Sequence, residues 1–240
     1  MQKFYLLAIL VLTGSCHNTS QKQVPQKEDT LVRSSDVVFT PSKKLTATEF
    51  IDKIEGLGYF AYADNKNVPV VKKTIKNHFT GDKEFMTEFQ AKYPFQSLDL
   101  RFYSCGDGEE LYEEGGVVAL LEEMKPLFNK LRVPLNYSND SYFGNSHSIV
   151  LNNKSYTLAT GGPLMWGETI AKYAEMINYE LAKYNKRERL YILTNENYYM
   201  VLLTQELYEL IGQYFKTDKS PATVEEWVTQ TQNELQRLLN

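Results

Sequence analysis

Two apolar runs broken by asparagines constrain this chain more than any other feature. Ser148-Ile149-Val150-Leu151 and residues 154–158 flank Asn152-Asn153, and residues 190–194 and 198–204 flank Asn195-Glu196-Asn197. Asparagine tolerates the left-handed backbone that tight turns demand, so each run reads as a β-hairpin and dictates antiparallel pairing. Helical patterns surround the hairpins. Thr46-Ala47-Thr48-Glu49 fits a capping box, and Phe50, Ile51, Ile54 and Leu57 follow as one stripe stopped by Gly56 and Gly58. Further helices are expected at 69–78 and 82–92, and an alternating strand at 98–103. Residues 109–131 read as helical, with Gly115-Gly116 and Pro126 expected to break or bend the run. Ile170, Tyr173, Ala174, Ile177 and Leu181 predict a helix over 166–184; another spans 205–215, and Ser220-Pro221 opens a last one. The pattern predicts an α+β fold: a mainly antiparallel sheet built from hairpins, with several helices packed on it.

The first residues are of a different kind. Lys3 precedes an unbroken apolar run over residues 4–12, then Thr13-Gly14-Ser15-Cys16. A basic residue, a short apolar stretch and small residues are the layout of a secretory signal. A spanning helix needs about 20 apolar residues, so the run is too short to be one. Cys16 directly after Gly14-Ser15 makes residues 1–16 resemble a bacterial lipoprotein signal, although Leu12 stands one position further from the cysteine than is usual. The resemblance implies cleavage before Cys16, acylation of its thiol and new N-terminus, and export to the cell envelope, on its periplasmic or surface face. More than one acyl chain is what stable membrane anchoring requires.

This divides the chain into a signal peptide at 1–15, a lipidated cysteine and flexible tether at 16–45, and a single domain at 46–240. The tether is rich in Gln, Lys, Ser and Thr, with Val37-Val38-Phe39 as its one apolar spot. As a coil it would reach about 30 Å, enough to clear lipid headgroups. The chain's formal charge of −4 then splits into a mildly basic tether and a more acidic domain. An acidic domain argues against nucleic acid, whose electrostatic footprint is a basic face. With Cys16 acylated, Cys105 is the remaining thiol. No intramolecular disulfide can form, and the core must hold the domain.

Cys105 and His147 carry the sharpest enzymatic possibility. The cysteine follows an expected strand and precedes an expected helix, and the histidine opens the first hairpin. A thiol at a helix start can be activated, with a histidine as its base. This order, with His147-Ser148-Ile149-Val150-Leu151-Asn152-Asn153, resembles NlpC/P60-type cell-wall peptidases and implies a cysteine hydrolase. The box here is Tyr103-Ser104-Cys105-Gly106-Asp107 rather than an Asp-Cys-Ser-Gly type. The acidic residues after it would raise a thiol's pKa. The alternative is a structural thiol and a surface histidine.

Asp107, Glu109, Glu110, Glu113, Glu114, Glu122 and Glu123 run without a basic residue between them. No D-x-[DN]-x-[DN]-G loop accompanies them, so they read as a solvated helix face able to dock a basic partner. Residues 134–147, with Tyr137, Tyr142 and Phe143, are expected to form an exposed aromatic loop, since tyrosine suits interfaces. His78 and His147 share no ligand spacing, and no H-E-x-x-H or C-x-x-C occurs, so no metal is expected. The Gly-rich nucleotide loops and the G-x-S-x-G elbow are missing too, and no cofactor is expected.

Together these features predict a lipid-anchored envelope protein that binds rather than catalyses. Its partner would be the membrane through Cys16 and then another envelope protein, a cell-wall component or an incoming toxin. Residues 188–207 are similar to the strand–turn–strand–helix end of small bacterial immunity-type proteins, which implies a toxin-neutralising role.

Overall fold

The computed structural model describes residues 44–79, 83–91, 96–144, 146–162, 164–194 and 197–239. The signal segment, Cys16 and the tether up to residue 43 lie outside them, so the anchor is not among the features described below. In chain order the elements are α1 (Ala47–Gly56), α2 (Val68–Phe79), β1 (Phe102–Ser104), α3 (Glu109–Tyr112), α4 (Gly116–Leu131), β2 (Tyr137–Phe143), β3 (Ser146–Leu151), β4 (Lys154–Thr160), α5 (Met165–Lys183), β5 (Glu188–Thr194), β6 (Tyr198–Thr204), α6 (Gln205–Tyr214) and α7 (Val224–Leu239). The fold is α+β, with antiparallel pairing throughout the named strands.

Both hairpins form as their residues require. Asn152 and Asn153 take φ of 50° and 66°, the two left-handed positions of the tight β3–β4 turn. β5 and β6 pair from Glu188↔Thr204 to Thr194↔Tyr198. The hairpins do not merge into one sheet, because each acquires its own third strand: the orders are β1-β6-β5 and β2-β3-β4.

The β5–β6 hairpin is covered on both faces, which explains its unbroken apolar runs. Leu190, Ile192, Met200 and Leu202 face a cluster with α4 and α5, whereas Tyr191, Leu193, Val201 and Leu203 face one built from α1, α2 and α6. The β2-β3-β4 sheet sends Ile149, Leu151 and Leu158 into the first of these clusters. Helix α5 packs against both β4 and β5 and so joins the two sheets.

Four expectations change. Residues 83–90 are extended rather than helical: Phe85 and Thr87 are buried on a two-residue period, and Phe89 bridges to Ser97. Phe85 is drawn in edge-on between Tyr59 and Phe215, and tertiary packing overrides the helical tendency. The strand expected at 98–103 shrinks to β1, because its polar residues turn inward. Arg101 is 2% exposed and donates to the carbonyls of Tyr59 (2.7 Å), Gly58 (3.0 Å) and Leu202 (3.0 Å). The aromatic loop expected at 134–147 is largely strand β2. The last helix starts at Val224 behind a Thr223 cap, since Ala222 pairs with Ile192 before the helix opens.

The 109–131 run breaks at Gly115-Gly116 into α3 and α4, and Pro126 stays inside α4. A side chain at Gly116 would stand 2.0 Å from the Glu110 carbonyl, so the two helices meet only through glycine. Among the described residues, no helix is long and apolar enough to cross a membrane.

Candidate functional site

The chain leaves a groove of about 980 Å³ beside β1. β1 forms its floor, and the turn after β1 carries Gly106, Asp107 and Glu110 into one end. The face of α4 bearing Ala119, Glu122, Glu123 and Pro126 makes one wall, and Phe89, Ser97 and Tyr199 stand opposite. Gly106 is required here. It has φ of 57°, a left-handed conformation that strains any other residue, and a Cβ there, 2.3 Å from the Glu110 carboxylate, would also force that side chain to move.

The lining is acidic, with Asp99, Asp107, Glu110, Glu122 and Glu123 and no Lys or Arg among its described residues. The carboxylates differ in circumstance. Glu122 is exposed and already engaged, accepting from Lys125 and from the Tyr137 hydroxyl. Those bonds, the one from Lys125 first, hold its carboxyl below the usual range. Glu123 is half-buried and makes no hydrogen bond or ion pair among the described residues, and burial pushes its pKa up to about 7. A desolvated carboxylate without a partner is costly until a cation or proton reaches it.

Cys105 lies at the groove floor but is 4% exposed and belongs to the core cluster with Tyr103 and Leu111. Burial, then the charges of Glu123 and Glu110, push its thiol far above the ordinary range. A thiol held protonated is a poor nucleophile, so the chemistry needed by a Cys105/His147 hydrolase is missing at this atom. His147 sits on the other sheet and is fully buried, not on the surface. Its Nε2 meets Asp140 Oδ1 at 2.7 Å, and Tyr142 stacks on the ring at 3.9 Å. A bulge between Ser138 and Ser141, with Asn139 at φ 52°, turns Asp140 toward the histidine. No described contact joins His147 to Cys105.

The residues expected to form a partner surface are partly brought together. Asp107 and Glu110 line the groove, while Glu109, Glu113 and Glu114 are exposed around α3 outside its lining. β2 runs beside the acidic segment. Its Tyr137 hydroxyl donates to Glu122, and the Tyr142 hydroxyl donates to the Glu113 carbonyl at 2.6 Å. Phe143, 87% exposed, ends the same strand. Among the described residues no group of three or more His, Cys, Asp and Glu side chains is arranged to hold a metal ion.

Sequence reasoning singled out neither Asp140 nor the special position of Glu123. The second was readable. Glu123 falls three residues after Leu120 and four before Leu127, on the flank of the buried stripe of α4. Asn139 before Asp140 was the only local sign of the bulge, and it is weak.

Comparison with known protein families, with curated proteins and with solved structures finds no match to this chain.

Proposed function

We propose that this chain is an exported, lipid-anchored protein of the bacterial cell envelope, held through Cys16, that works by binding rather than catalysis. Its partner presents a cationic segment, from another envelope protein or an incoming toxin, to the groove beside β1. The observation that carries this reading is Glu123: a half-buried carboxylate without a partner among the described residues, in a groove whose other charges are also negative. Opposite charge from a partner would relieve its desolvation and steer the encounter. The order of residues 1–16 supports the anchor.

The test for binding is titration calorimetry of the full chain with a Lys-Ser repeat decapeptide. Binding is expected, and Glu110→Gln with Glu123→Gln should weaken it at least tenfold. Equal binding by the double variant would reject the groove as the site. For the anchor, Cys16→Ala should move the protein from the membrane fraction to the soluble one. Retention on the membrane would reject the lipid.

A further inference from the structure

The groove follows an unpaired sheet edge. In the order β1-β6-β5, β1 has a strand on one side only. The opposite edge of the sheet is met by Ala222, which exchanges two backbone bonds with Ile192, at 2.9 and 2.7 Å. Nothing comparable meets β1 among the described residues. The Arg101 carbonyl and the Cys105 amide bond to β6, at 2.8 Å each. Antiparallel alternation groups Tyr103 with them and turns the Phe102 carbonyl and both Ser104 backbone groups away from β6. Phe102, Tyr103, Ser104 and Cys105 all line the groove.

The walls on the two sides of this edge differ in chemistry. Tyr103 belongs to the cluster built on α4, so the wall above that face carries Glu123 and Glu122. Phe102 packs against Phe89 (6.0 Å) and Tyr199 (5.6 Å), so the wall on its face is aromatic. A strand laid along β1 would place successive side chains alternately against these two walls.

We propose that the partner's segment binds as an extended strand added to β1, with cationic side chains toward α4 alternating with apolar ones toward Phe89 and Tyr199. This rests on the groove reading above and specifies the form of its ligand. Main-chain bonds to Phe102 and Ser104 supply register and affinity, and the alternation supplies specificity. β1 has three residues, so the shared ladder is short, about 10 Å. The groove walls must contribute the rest.

The experiment uses the full chain in mild detergent and four blocked peptides: an alternating Lys-Val decapeptide, the same peptide N-methylated at alternate residues in each of the two registers, and the Lys-Ser decapeptide. Fluorescence anisotropy gives affinity, and hydrogen exchange reports on the Ser104 amide. The alternating peptide should bind at least tenfold more tightly than Lys-Ser. N-methylation in one register should lose that gain, and Ser104 should gain protection only with the unmodified peptide. Ser104→Pro, which removes an outward amide and none bonded to β6, should have the same effect as N-methylation. Equal binding by all peptides, with Ser104 unprotected, would overturn strand addition and leave the acidic groove standing. Failure of every peptide to bind would overturn both. Ser104 protection in the protein alone, accompanied by dimerisation in sedimentation, would assign the edge to a second copy and overturn the proposal.

Discussion

The two three-stranded sheets have the same pairing but different surroundings. β1-β6-β5 is covered on both faces, whereas β2-β3-β4 buries one face and gives the other largely to solvent. In the first, every residue over 190–193 and 200–203 is buried. In the second, burial along β3 alternates. The contrast teaches where polar groups can be tolerated. The doubly covered sheet accepts the Arg101 guanidinium only because three carbonyls receive it. The singly covered sheet places His147 and Asp140 near its rim, where Asp140 is still partly exposed. The proposed site lies on the one edge of the doubly covered sheet that no other segment meets among the described residues.

The largest effect is expected at Arg101. Arg101→Met would leave buried carbonyls without a donor and cost about 3–5 kcal/mol in denaturant unfolding. A loss below about 1 kcal/mol would show that the guanidinium is dispensable and would weaken the contrast. Leu202→Ala, on the α4–α5 face of the doubly covered sheet, should cost about 2–5 kcal/mol, whereas Val150→Ala on the outer face of β3 should cost under about 1 kcal/mol. Comparable losses at the two sites would mean that the sheets are equally covered. Asp140→Asn preserves shape but exchanges a carboxylate for an amide beside His147, and should cost about 1 kcal/mol.

The smallest effect carries a sign. Burial raises the folded pKa of Glu123 from its ordinary 4.5 to about 7. The folded state therefore binds the proton more tightly, so this group favours folding at low pH, and the benefit disappears as pH rises through about 7. Glu123→Gln should stabilise the chain at pH 8, by about 1 kcal/mol after allowance for solvent screening, and change nothing at pH 4. Destabilisation at pH 8 would mean that the carboxylate has a cationic partner within the folded chain. Its cost to stability, with no internal benefit, is what a residue kept for binding would show.

Much of the secondary structure was legible because its signals are local. The Asn152-Asn153 turn, the α5 stripe from Ile170 to Leu181 and the Gly115-Gly116 break all depend on backbone preferences or side-chain period. Residues 83–90 were misread because their glutamates and phenylalanines suit a helix as well as an extended limb. Only the rings of Tyr59 and Phe215 decide between them. The 134–147 segment was misread because strand β2 is mostly exposed and shows no clean alternation. Of the candidate site, the acidic run and the place of Glu123 on the flank of the α4 stripe were legible, and the engagement of Glu122 by Lys125 and Tyr137 was not.

By itself, then, the amino-acid order determined the hairpins, most of the helices, the α+β class and the acidic character of residues 107–123. Each follows from propensities and periods that act within a few residues. Tertiary structure alone decided that the two hairpins belong to separate sheets, that Cys105 is buried and His147 is paired with Asp140, and that an acidic groove follows the free edge of β1. Those outcomes depend on which residues distant in sequence exclude water from one another. Which buried faces meet, unlike helix or turn preference, has no local signature.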